Sequence, residues 1–150
     1  MLVGDIFDES TTREDMVEAA SILRNMDSTY GVYYVFGNHD YNRYTSTPNY
    51  AADELREELE KNQITVLEDE VVHPDGKFYI IGRQDKSISN RKSITELSEE
   101  IDFNQLVISL DHQSVELAEN NQVGIDLQFS GHTHAGQIWP SGQLETLNMS

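Results

Sequence analysis

Apolar residues recur along this chain in two rhythms, and the switches between them divide it into short strands and helices. Met1-Leu2-Val3-Gly4-Asp5-Ile6 is apolar and strand-like from the outset. From Ser10 the period lengthens. Met16, Ala19, Ala20, Leu23 and Met26 fall at three- and four-residue steps, and Thr11-Thr12-Arg13-Glu14 has the form of a capping box. Val32, Tyr34 and Phe36 then alternate, predicting a strand that ends at Gly37, and 46–50 (STPNY) reads as a loop. A second helix is predicted over 51–61 with Leu55 and Leu59 inward, followed by short strands near 63–67 and 69–73. Pro74-Asp75-Gly76 marks a turn into "KFYIIG", 84–93 is a polar loop, and Ser93-x-x-Glu96 caps a short helix. "QLVISL", 105–110, is a continuous apolar strand of the buried type; 114–121 reads as helix and 125–130 as strand. Strands alternating with helices predict an α/β layered domain.

The polar residues of interest share one position in this pattern: each follows a strand. Asp5 follows 1–4, Asn38 and His39 follow 32–36, His112 follows 105–110, and His132 and His134 follow 125–130. In layered α/β folds, sites form outside the carboxyl ends of strands, where loops converge.

Composition narrows the chemistry. The chain has 150 residues, one ordinary domain, without repeats or internal linkers. Its 27 acidic and 10 basic residues give a formal net charge of −17, which repels nucleic-acid phosphates and anionic membrane surfaces. The carboxylates are dispersed over solvated faces such as 53–60 and 96–102, and no basic cluster is present to receive a phosphate. A bound cation would supply that charge. There is no cysteine, so disulfides and thiolate–metal sites are excluded and the redox compartment stays open. No apolar run approaches the length of a membrane-spanning helix.

Four of the five histidines lie in the strand-end turns. In "SGHTHAG", residues i and i+2 of an extended segment point the same way, so His132 and His134 could reach one volume, and neutral imidazole is the commonest metal ligand. The same segment also reads as a solvated loop. "GNHD", 37–40, is either a plain turn or a ligand-bearing one. In "VGDIFDES", Asp8 or Ser10 can cap the following helix, whereas Asp5 sits beside an apolar segment where a carboxylate is costly unless paired or coordinated. His112 alone reads as a packed or capping residue, and His73 as a residue flanking the Pro74 turn.

Together, in the order GDxxD, GNHD, strand-then-His and GHTH, these motifs resemble the calcineurin-like metallophosphoesterase superfamily, over nearly the whole chain. Within it, "GNHDY", "LDHQS" and "DLQFSGHTHAGQIWP" look like the bacterial phosphodiesterases, many of which carry amino-terminal membrane helices. The resemblance implies an αββα sandwich and a metal-dependent phosphoric ester hydrolase in which a hydroxide bridging two divalent metals attacks phosphorus. It implies Asp5 as the bridging carboxylate, Asn38, His112 and His132 as ligands of the second metal, and His134 as a ligand of the first. His39 would protonate the leaving oxygen, oriented by Asp8, and Asp40 would stand behind the ligands. Mixed nitrogen and oxygen donors suit Mn, Fe or Zn. The implied substrate is a phosphate-ester small molecule or a lipid-linked headgroup. Nucleic acid is disfavoured by the acidic balance, and no compartment is indicated.

The chain departs from the family pattern at both ends. The superfamily opens with a strand ending in Asp-x-His, which has no counterpart ahead of Leu2, and further strands normally follow the GHTH segment. The expectation is therefore a partial domain over 1–150, lacking the first strand and the carboxyl-terminal strands. Such a chain would bind one metal well and the other poorly, with little activity beside a longer relative. The alternative is a non-catalytic remnant that holds at most one metal tightly.

Overall fold

A computed structural model describes residues 1–133. The described chain is mixed α/β, in two sheets. The first pairs β1 (Val32–Tyr34) in parallel with β2 (Ile64–Val66), and Leu2 bridges to Tyr34 on the other side of β1. The second has the order β3 (Glu70–Val72), β4 (Phe78–Gly82), β5 (Leu106–Leu110), β6 (Leu127–Phe129), with β3 antiparallel to β4 and the rest parallel.

Alternation along β1 and its continuation sets the layering. Tyr34 and Phe36 face one way, packing with Val32, Ile64 and Val66 under Met16 and Ala20 of α1 (Arg13–Arg24) and Leu55 and Leu59 of α2 (Ala52–Lys61). Tyr33 and Val35 face the other way and meet Leu67, Ile80, Ile108 and Leu110 between the sheets. Beyond the second sheet, Ile81 and Val107 pack with Ile94 and Leu97 of the one-turn α3 (Ile94–Leu97), which lies beside α4 (Leu117–Val123). Three core clusters thus separate four layers, helix–sheet–sheet–helix, the order expected of the αββα fold class.

Local details moved by a residue or two from the expected positions. The N-cap of α1 is Thr12, whose hydroxyl accepts the Asp15 N–H at 3.1 Å, rather than Thr11 with Glu14. The Ser93–Glu96 capping box forms as read. α1 ends at Arg24, leaving Met26 exposed, and α4 starts at Leu117 rather than 114 because Glu116 takes a left-handed φ of 57°. The opening segment 1–4 makes a single bridge rather than a strand of its own, although Leu2 N–H and C=O both bond the β1 segment, to Tyr33 and Val35.

The sheets approach closely where Gly82 of β4 faces Leu67: a Cβ at Gly82 would lie inside van der Waals contact with the Leu67 Cβ. Gly82→Ala is expected to destabilise the domain by about 1–3 kcal/mol, the usual cost of overpacking. A thermal melt of the variant checks this, and an unchanged Tm would contradict it.

Candidate functional site

The site is built where the two sheets' strand ends meet. The Gly4-Asp5 turn follows the Leu2 bridge, and the Gly37–Asp40 turn follows the β1 segment. Gly4 (φ +82°) and Asp5 (φ 54°) are both left-handed, a conformation rare for a non-glycine residue. A Cβ at Gly4 would collide with the Gly37 backbone and stand 2.8 Å from His112 Nδ1, while one at Gly37 would overlap the Asp5 carboxylate. Only glycines let the two turns come this close.

Asp40 ties them together. Its buried carboxylate accepts the N–H groups of Asp5 (2.8 Å) and Gly37 (2.7 Å) and the Tyr34 hydroxyl (2.8 Å), with a longer bond from Phe7 N–H (3.3 Å). Burial pushes the Asp40 carboxyl up to about 6, against the opposing pull of those donors.

Asp5 in turn accepts the His39 N–H on Oδ1 at 2.8 Å, and its Oδ2, buried and without a hydrogen-bond partner, lies 2.9 Å from His112 Nε2. Burial works to raise the Asp5 carboxyl, but the His112 ring and the His39 N–H outweigh it and hold it below the ordinary aspartate value. His112, fully buried after β5, directs Nδ1 at the Val3 carbonyl, 2.6 Å away. An Nδ1–H donated there leaves Nε2 as the lone-pair nitrogen, the arrangement that metal-ligating histidines use. His132, left-handed at φ 62°, brings its Nδ1 to 3.2 Å from His112 Nε2. The two turns are joined by Gly131 N–H donating to the His112 carbonyl at 3.0 Å.

One ligand atom each from Asp5, His112 and His132 therefore lies within 4.8 Å of the others, the sole such group of three among the described residues. Two imidazole nitrogens and a carboxylate oxygen facing one another need a cation or shared protons between them. Asn38, in the turn whose His39 N–H bonds Asp5, keeps its Oδ1 buried without a partner, while its Nδ2 lies 3.2 Å from the Tyr44 hydroxyl. An unpaired buried amide oxygen is expensive unless something binds it. The donor set fits a divalent cation of the Mn, Fe or Zn type. His134 lies outside the described residues.

His39 projects from the same turn, part-exposed, with its ring 5.0 Å from that of Tyr44. The carboxylate that holds it is a correction to the sequence reading. Glu9 Oε2, not Asp8, lies 2.9 Å from His39 Nδ1. That contact, with the charge of Glu9, raises the His39 pKa above the ordinary histidine value. Asp8 is taken up locally: its Oδ1 accepts N–H and hydroxyl bonds from Ser10 and Thr11 ahead of α1, and those bonds hold its carboxyl below the usual range. Glu9 gave no motif signal; an acidic residue one position beyond GDxxD was the sole hint. His73 stacks on Tyr79 at 4.0 Å, its Nε2 2.8 Å from Gln105, remote in sequence from every residue of the site.

The model of the calcineurin-like phosphoesterase family matches residues 1–136. An uncharacterised metallophosphoesterase of Bacillus subtilis, YkoQ, is 31% identical over 159 aligned positions, covering 99% of this chain and 57% of its own. An uncharacterised metallophosphoesterase of Helicobacter pylori is 30% identical, covering 98% of this chain and 38% of its own. One from Campylobacter jejuni is 28% identical, covering 93% and 36% respectively. The chain thus spans about half or less of the length of these curated relatives. No solved structure matches.

The Asp40 knot yields a test. Asp40→Ala leaves the Asp5 and Gly37 N–H groups and the Tyr34 hydroxyl buried without their acceptor, at about 1–3 kcal/mol for each unpaired group. The urea midpoint should fall far more than in Tyr34→Phe, which removes one donor and leaves the carboxylate its backbone partners. Equal midpoints for the two variants would contradict the role assigned to Asp40.

Proposed function

Because the chain belongs to the calcineurin-like phosphoesterase family, we propose that it is built for metal-dependent hydrolysis of phosphate esters. The observation that carries this is the convergence of Asp5 Oδ2, His112 Nε2 and His132 Nδ1.

In this reading Asp5, Asn38, His112 and His132 hold one divalent cation, Mn, Fe or Zn. Asp5, with His134, would also contribute to a second. When bound, such cations act as Lewis acids, lowering the pKa of a water and offsetting charge on phosphoryl oxygens. The chain's own residues do the rest. The His39 N–H holds Asp5 Oδ1 so that Oδ2 keeps its aim, and the Val3 carbonyl fixes the His112 tautomer. His39 Nδ1 is occupied by Glu9, which leaves Nε2 to carry a proton. Water adds to phosphorus and gives up one proton to solvent, the ester P–O bond breaks, and the leaving oxygen takes the Nε2 proton, a role suited to a histidine whose pKa the Glu9 contact raises. Asp8 serves the turn into α1, not the histidine.

The substrate proposed is a phosphoester of a small molecule or a lipid-linked headgroup. A net charge of −17 opposes a nucleic-acid partner, since phosphate backbones bind through basic residues. No helix among the described residues is long and apolar enough to cross a membrane.

Two measurements test the proposal. Hydrolysis of bis-p-nitrophenyl phosphate should require Mn²⁺ and disappear in Asn38→Ala, whose Mn²⁺ affinity by titration calorimetry should be weaker by at least about tenfold. Turnover indifferent to added cation, or to this substitution, overturns the reading. His39→Ala should lower kcat by about 10²–10⁴-fold while leaving Mn²⁺ affinity near wild type, as expected of a proton donor that is not a ligand. A parallel loss of cation binding would instead make His39 a ligand.

A further inference from the structure

The loop after β4, residues 83–92, carries no residue of the site, yet it grips the His112 turn from both sides. The Arg91 guanidinium forks onto Asp111, Nη1 reaching Oδ1 at 3.2 Å and Nη2 bonding Oδ2. Nη2 also reaches Glu116 Oε2 at 3.4 Å. On the other flank of the histidine, Asp85, fully buried, accepts from Gln113 Nε2 at 3.2 Å. Asp111 is fully buried and the Arg91 side chain is only 8% exposed, so the fork operates out of water, where a two-point carboxylate contact fixes orientation as well as charge.

The loop is itself anchored. Fully buried Arg83 donates from Nη2 to the Lys92 carbonyl at 2.8 Å and sets Nη1 3.1 Å from Glu116 Oε2. Asp69 accepts the N–H groups of Gln84 (3.1 Å) and Lys92 (2.7 Å), closing the loop at both ends. The chain so held runs from Asp111 through Glu116, whose left-handed φ of 57° is a strained conformation that its contacts to Arg83 and Arg91 sustain.

We infer that Arg91 is a positioning residue for the cation site: by fixing Asp111 it sets the His112 ring between Val3 and Asp5, and through the Gly131 N–H to His112 carbonyl bond it sets the His132 turn as well. The inference rests on reading Asp5, His112 and His132 as cation ligands. Arg91 touches none of their ligand atoms and acts only through the backbone it holds. Replacing it loosens the site without removing a ligand, and residues that orient ligands in this way typically cost about 10–100-fold in metal affinity when lost.

The experiment compares wild type, Arg91→Ala and Arg91→Lys in the full chain. Lysine keeps the charge opposite Asp111 but not the fork, so Arg91→Lys gives a folded variant if the alanine variant does not fold. Two readouts are taken. Mn²⁺ affinity by calorimetry should fall about 10–100-fold in Arg91→Ala and about tenfold in Arg91→Lys. In cation-free protein labelled with ¹⁵N-histidine, the His112 ring, whose Nδ1 faces the Val3 carbonyl and whose Nε2 faces the Asp5 carboxylate, should give one sharp set of ring-nitrogen signals in wild type. In Arg91→Lys those signals should shift and broaden as the ring samples more than one orientation. A role confined to general stability would lower the melting temperature and leave the ring signals alone. A folded variant that keeps either wild-type affinity, within about twofold, or the wild-type ring signals overturns the inference. If wild type takes up no Mn²⁺, the metal reading fails, and the ring signal alone then decides whether Arg91 positions His112.

Discussion

The site depends on one buried carboxylate. Asp40 accepts backbone N–H groups from both the Asp5 turn and its own turn at Gly37, and it does so because neither group has a strand partner to go to. Gly4 and Asp5 are left-handed in succession, which takes the Asp5 N–H out of any ladder and aims it inward. A buried N–H without an acceptor is rare and costly, so the fold at this point is a choice between Asp40 and no turn at all. The close approach of Gly4 to Gly37 is the steric half of the same constraint: a side chain at either would push the turns apart before Asp40 could bond both. Once the knot is tied, the His39 N–H lands on Asp5 Oδ1, and the remaining carboxylate oxygen can point only toward His112.

The layered architecture then supplies the partners. Parallel pairing of β4, β5 and β6 sends the ends of β5 and β6 to one edge, and the parallel Leu2–β1 bridge does the same for Asp5 and the GNHD turn. Asp5 and Asn38 follow strands of one sheet and His112 and His132 strands of the other, so the group of Asp5, His112 and His132 straddles the boundary that Tyr33, Val35, Ile108 and Leu110 fill. Packing between the sheets is therefore also what sets the distance from Asp5 to His112. Sheet contact and site geometry are one property, and a disturbance at Leu67 or Gly82 travels to the ligands only by way of it.

What was legible in the sequence followed from periodicity and from turn chemistry. Strands ending in Gly-Asp, Gly-Asn-His-Asp and Asp-His put Asp5, Asn38 and His112 each just past a strand end, and the structure brings Asp5, His112 and His132 together. Side-chain partners on exposed turns were not legible. Asp8 stands at the end of GDxxD, but its carboxylate closes a local turn with Ser10 and Thr11, and the neighbouring Glu9, one bond longer and one position on, reaches His39 instead. The same competition moved the α1 cap from Thr11 to Thr12. The 84–93 segment read as a plain polar loop because ion pairs such as Arg91 with Asp111, twenty positions apart, leave no periodic trace in a sequence.

Charge gives these pieces a common logic. Of the ten basic residues, Arg83 and Arg91 are withdrawn into the interior, facing Asp69, Asp111 and Glu116 around the His112 turn. They neutralise carboxylates packed around that turn, where an unbalanced buried charge is destabilising. Among the described residues Asp5 is the one carboxylate that converges with the His112 and His132 imidazoles, a mixed set that, on the proposed reading, favours nitrogen-tolerant metals over Ca²⁺ or Mg²⁺. The remaining surface is strongly acidic and repels phosphate esters at long range. On the proposed reading, attraction for such a substrate would have to be generated locally, by a bound cation, inside a Debye length of about 8 Å at physiological salt. On the same reading, cation binding would serve substrate capture as well as chemistry, since the chain's formal net charge of −17 opposes a phosphate ester.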